Sequence, residues 1–126
     1  MSESPSNVTL FTNIGDLTLQ RAEAQVFGTA TAVAGAASLN TYAGKVTTEA
    51  LTTAAGLDYT LTLTNEAISA DDVVLVSIGN ASNTGGSPLP GAVTPGAGSV
   101  SIVVQNGSAT VAFNGTLQIG FRVQKA

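Results

Sequence analysis

Residues 57–65 read LDYTLTLTN. Leu57, Tyr59, Leu61 and Leu63 share one parity, and Asp58, Thr60, Thr62 and Thr64 share the other. Successive side chains of a strand point to opposite faces, so this period of two predicts a strand with one apolar face and one face paved in threonine. The apolar parity belongs in a core. The threonine parity suits water, and equally a neighbouring protein surface, a sugar or a second sheet.

Outward from this stretch the β pattern continues from Leu39 to the C-terminal end, through SLNTYAGKVTTEALT, DVVLVSIGN, SVSIVVQ, SATVAF and TLQIGFRV. Turn signals separate these runs at Asn80, Gly85-Gly86, Pro95-Gly96, Asn106-Gly107 and Asn114-Gly115. Several short strands at this spacing predict an all-β sandwich or barrel over residues 39–126. With Asn106-Gly107 as a two-residue type I′ turn, Val104 faces Ala109, Ile102 faces Val111 and Val100 faces Phe113, all apolar and on one face. The same turn at Asn114-Gly115 would send Leu117, Ile119 and Phe121 to the wrong face, because a one-residue slip inverts a strand. A three-residue loop with Gly115 in a G1 bulge repairs the register and is the expectation there. Residues 80–99 read as the longest loop, with Pro95-Gly96 at the centre of a type II turn.

Residues 1–38 are expected to form an N-terminal arm. Val8, Leu10 and Phe11 suggest a short strand, and Asp16 could cap a helix through LTLQRAEAQV, although Leu17 and Leu19 also alternate as on a strand. The arm is either loose or laid on a neighbouring subunit, since its apolar residues need cover somewhere. TATAVAGAASLN is rich in small residues and fits neither pattern cleanly.

Composition narrows the chemistry. The 126 residues suit one domain with a core of its own. Without cysteine or histidine there is no disulfide framework, thiol catalysis, serine-histidine triad or histidine-ligated zinc. Charged residues make up 10% of the chain, well under the ordinary quarter, which leaves few charges to keep neighbours apart and favours surfaces that pack on other protein. The net charge is −4 with four basic residues, so a phosphate-neutralising patch for nucleic acid is not expected. No apolar run approaches a membrane span, and the N-terminal residues lack the basic and apolar regions of a secretory signal. The four sequons starting at Asn7, Asn80, Asn106 and Asn114 are expected by chance in a chain this rich in Asn, Ser and Thr.

Individual candidates for chemistry are weak. Glu66, Asp71 and Asp72 cluster in NEAISADDVV, but their spacing matches no calcium loop, and Asp71-Asp72 reads as a turn before the next strand. No metal or cofactor is expected. Gly44-Lys45 fails as a phosphate loop because Leu39 stands where glycine is required and Val46 follows the lysine. Lys45 reads as an exposed strand charge that discourages edge pairing, within reach of an ion pair with Glu49. A glycosidase carboxylate pair is not signalled. With no tryptophan, a sugar-stacking platform is poorly supplied, and Tyr42 is the better of two tyrosines for an exposed contact.

Residues 43–65, AGKVTTEALTTAAGLDYTLTLTN, and residues 93–126, VTPGAGSVSIVVQNGSATVAFNGTLQIGFRVQKA, resemble the capsid decoration, or cement, proteins of tailed bacteriophages. The shared features are Thr/Ala/Gly-rich strands and Asn-Gly turns. The resemblance implies an antiparallel β-sandwich of jelly-roll type and a non-enzymatic homodimer or homotrimer. Such a protein would sit on the outer surface of the virion and glue major capsid protein subunits together. Contact residues expected on this reading are Leu10, Phe11, Leu17, Leu19, Tyr42, Thr60 and Thr62. The alternative from another class is a tail-fibre tip domain that recognises a host glycan.

Overall fold

The computed structural model describes residues 27–126. They form eight strands: β1 (Phe27–Thr31), β2 (Ala36–Ser38), β3 (Ala43–Thr47), β4 (Asp58–Thr64), β5 (Val73–Asn80), β6 (Pro88–Gly96), β7 (Ser99–Asn106) and β8 (Leu117–Gln124). Sheet A has the order β1-β3-β8-β5 and sheet B the order β2-β4-β7-β6. The protein is an all-β sandwich. Every connection except β6–β7 carries the chain from one sheet to the other.

β4 behaves as its alternation requires. Leu61 and Leu63 are fully buried, Tyr59 packs against the core, and Thr60, Thr62 and Thr64 are exposed. Opposite them on β7, Tyr59 pairs with Val104, Leu61 with Ile102 and Leu63 with Val100. Sheet A answers with Val46, Leu117, Ile119 and Phe121. Burying such side chains is worth about 1.5–3 kcal/mol each and drives the two layers together. Leu57 departs from expectation. It precedes β4, where the pleat no longer governs its direction, and it is 59% exposed.

Residues 27–38, assigned by sequence to the arm, supply β1 and β2 to the sandwich. Both pair parallel to their neighbours, β1 on β3 and β2 on β4, so the sheets are not purely antiparallel. The chain turns between them at Ala34-Gly35, where both residues have positive φ, 52° and 80°, as a type I′ turn demands. Their strands FGTAT and AAS hold too few large apolar residues to show a period.

Neither Asn-Gly pair makes its expected hairpin. β7 and β8 lie in different sheets, and residues 107–116 cross between them without forming a strand. Gly107 and Gly115 both lack the positive φ that a I′ turn or G1 bulge requires. Val100, Ile102 and Val104 therefore face β4, Val111 is half exposed, and Phe113 drops from the crossover into the core. Gly115 is needed for space instead, since a Cβ there would lie 2.7 Å from Ser82 Oγ and 2.8 Å from Asn83 N.

The expected long loop is largely β6, which pairs antiparallel with β7 and turns at Ala97-Gly98 rather than Pro95-Gly96, with Gly98 at φ 77°. Pro88, Pro90 and Pro95 all sit on this edge strand, and its pairing shifts between Pro90 and Val93. Proline and a bulge are both devices that close an edge to further pairing. β5, the edge of sheet A on the same side, has neither proline nor charge over eight residues.

Candidate interaction surfaces

The two outer faces of the sandwich differ in relief. On sheet B the outer parity presents Thr60, Thr62 and Thr64 beside Val103, Ser101 and Ser99 of β7. Ala36 and Ser38 continue this surface on β2, and Thr94 on β6. Around Thr60, Thr62 and Thr64 the side chains are short and of similar length, with Gln105 and the exposed Leu89 at one end of the face, and Asp58 is the sole charge of β4 and β7. This is where the expected contacts Thr60 and Thr62 stand. Tyr42 lies just before β3, 44% exposed, with its carbonyl accepting from Val123 N–H. Leu10, Phe11, Leu17 and Leu19 lie outside the described residues.

Sheet A is hollowed. Register places Phe27, Ala43, Arg122 and Leu75 in one row across its outer face. Thr29, Lys45, Gly120 and Ser77 form the next row, and Thr31, Thr47, Gln118 and Gly79 the third. Phe27 and Leu75 stand at the two edges of the first row, and the small residues Ala43, Gly120, Ser77 and Gly79 lie among Lys45, Gln118 and Arg122, which leaves an open trough of about 560 Å³. Phe27 and Leu75 are 65% and 52% exposed at its rim. Among the described residues no carboxylate lines it, and Lys45 and Arg122 supply positive charge. Lys45 is on an interior strand, so it guards no edge as the sequence reading held. The trough was hidden in sequence because its lining is split over four strands far apart in the chain. The one hint was VVLVSIGN, apolar on both parities, which must leave Val73 or Leu75 outside a core.

The remaining polar candidates are tied up in structure. Glu49 makes no ion pair with Lys45; it lies past the end of β3 and accepts the Tyr59 hydroxyl at 2.9 Å. Burial of the phenol, then this hydrogen bond and the carboxylate charge, push the Tyr59 pKa well above its ordinary range. Asp72 ends the expected turn, its N–H donating to Ser69 O at 3.1 Å. Its carboxylate meets Lys125 Nζ at 2.6 Å and accepts from the N–H groups of Ser69 and Ala126. Lys125 foremost, with those N–H groups, holds the Asp72 carboxyl well below the usual range. With its oxygens thus engaged, Asp72 has little to offer a cation, and no cluster of three possible metal ligands occurs among the described residues.

Buried asparagines organise the loops between these faces. Asn106 Oδ1 accepts from Ser87 and Ser108 N–H, while its amide donates to Thr53 O and Val111 O, so all four hydrogen bonds are satisfied. Asn83 donates to Asn80 Oδ1 and Gly85 O and accepts from Asn114 N–H. Asn65 links Thr41 O to Ala67 N–H. Sequence reading took Asn80, Asn106 and Asn114 for turn formers and missed these roles.

Comparison of the chain with protein-family models, with curated proteins and with solved structures found no match.

Proposed function

We propose that this protein is a structural subunit of a bacteriophage virion, a decoration protein that binds the outer surface of the head and stabilises the shell without catalysis. The observation that carries this reading is the even, charge-poor Ser/Thr face of sheet B, on the very strands that resemble cement proteins in sequence. A flat surface of short hydroxyl side chains loses little side-chain entropy on contact and brings almost no charge to desolvate. Repeated by symmetry over a shell, modest contacts add up to a stable coat. The groups available for acid-base chemistry support the same reading. Asp72 is locked to Lys125, Glu49 is bound to Tyr59, and the trough on sheet A has no carboxylate among the described residues that line it.

The test is quantitative analysis of purified tailless heads. The protein should be present in many copies, and Thr60→Lys with Thr62→Lys should strip it from heads while leaving its melting temperature within a few degrees. Absence from heads, with binding to host cells instead, sinks this reading in favour of the glycan-binding tip.

A further inference from the structure

We propose that the trough on sheet A is the docking site for residues 1–26 of this same chain, a use that holds whether or not the protein sits on a capsid. Three observations converge. The segment joins the sandwich at Phe27, which is itself a wall of the trough, so its last residues are delivered to the rim. Its length is ample. The outer strand axes of a four-stranded sheet stand roughly 14 Å apart, a span that about five extended residues cross. Its chemistry is also the complement of the site.

The segment carries Glu3, Asp16 and Glu23 against one cation, Arg21, and its apolar side chains include Leu10, Phe11, Leu17 and Leu19. The trough carries Lys45 and Arg122, neither with a salt-bridge partner among the described residues, between the exposed apolar side chains of Phe27 and Leu75. An apolar stretch with acidic residues placed there covers both side chains and meets both charges. The outer face of sheet B offers no such match, having no cation on any of its four strands.

Trypsin reads the docking directly, because Arg21 is the single Lys or Arg in the segment. In the full-length protein, cleavage after Arg21, followed by mass spectrometry, should be slow compared with a synthetic peptide of residues 1–26. Gly79→Trp fills the trough. A Cβ there meets no atom within 4 Å, so the strand accommodates it. This variant should raise the Arg21 cleavage rate about tenfold or more, since cleavage follows the population of the undocked segment. The double variant Lys45→Glu, Arg122→Glu should act in the same direction and decides the matter if the tryptophan variant does not fold. Docking within one molecule gives a wild-type rate independent of protein concentration, and docking onto a second copy gives protection that grows with it. Both support the proposal. An equal cleavage rate in wild type and variants overturns it, whether that rate is fast or slow. So does a Gly79→Trp protein whose oligomeric state changes while Arg21 cleavage stays the same, because then the trough holds another copy's sheet and not the segment.

Discussion

The β4–β7 ladder and the crossover between β7 and β8 both hold the sandwich together, and they do so with opposite chemistry. The ladder buries Leu61, Leu63, Val100, Ile102 and Val104 and turns its hydroxyls outward. The crossover lies in no strand, and the side chain of Asn106, itself 2% exposed, bonds Ser108 N–H and Val111 O within it and ties them to Thr53 O and Ser87 N–H outside it. The comparison teaches that a chain poor in charge can still order long irregular connections, provided its buried backbone groups find partners in other backbone or in amide side chains.

Four substitutions test this contrast. Leu61→Ala should be the most damaging, at about 3–4 kcal/mol, from lost burial and the cavity left between the sheets; urea unfolding would measure it. Asn106→Ala should cost about 2–3 kcal/mol, because it strands several buried hydrogen-bonding groups at once. A cost near zero would break the claim that amide side chains hold the crossover. Asp72→Asn probes a third kind of tie, ionic rather than apolar or amide. The Asp72 carboxyl is depressed in the folded protein, so its stabilisation is fully present above the ordinary carboxylate pKa of about 4 and fades as pH falls toward the lower folded value. The variant should therefore be less stable than wild type at pH 7, and the gap should narrow steadily as pH falls from about 4 to about 2, as followed by melting temperature. Ala34→Gly should be the smallest effect and the one gain, about 0.5–1 kcal/mol by thermal melting, since glycine relieves the positive φ of Ala34 in the turn before β2.

The same contrast explains how much could be read from sequence. β4, β7 and β8 were legible because each has one face in the core and one outside, and a period of two records that. The all-β sandwich followed from them. β1 and β2 were not legible, since glycine, alanine and threonine show no apolar period, and their parallel edge pairing leaves no mark in the chain. β6 was mistaken for loop because Pro88, Pro90 and Pro95 are turn signals in isolation and edge devices in a sheet. The two Asn-Gly pairs were mistaken for hairpin turns because SATVAF happens to alternate; the actual I′ turn uses the weaker Ala34-Gly35. Of the candidate site, Thr60 and Thr62 were found on an outer face, while the trough was missed because register alone brings Phe27, Lys45, Arg122 and Leu75 together.

The strand order of sheet A also has a consequence in time. β8 is the last of the eight strands along the chain, yet it lies between β3 and β5 and is the only strand that joins them. Until it is in place, sheet A exists as a β1–β3 pair and an isolated β5. Sheet B is different, for β4, β6 and β7 can pair before β8 arrives, beginning from the local β6–β7 hairpin. Assembly is thus ordered by topology, with one layer able to form early and the other closing only at the end. Long-range closure of this kind places the protein among the slow-folding β domains, in the range of milliseconds to seconds. A route in which sheet B forms first would leave its apolar inner face, with Leu61, Leu63 and Ile102, uncovered until β8 completes sheet A.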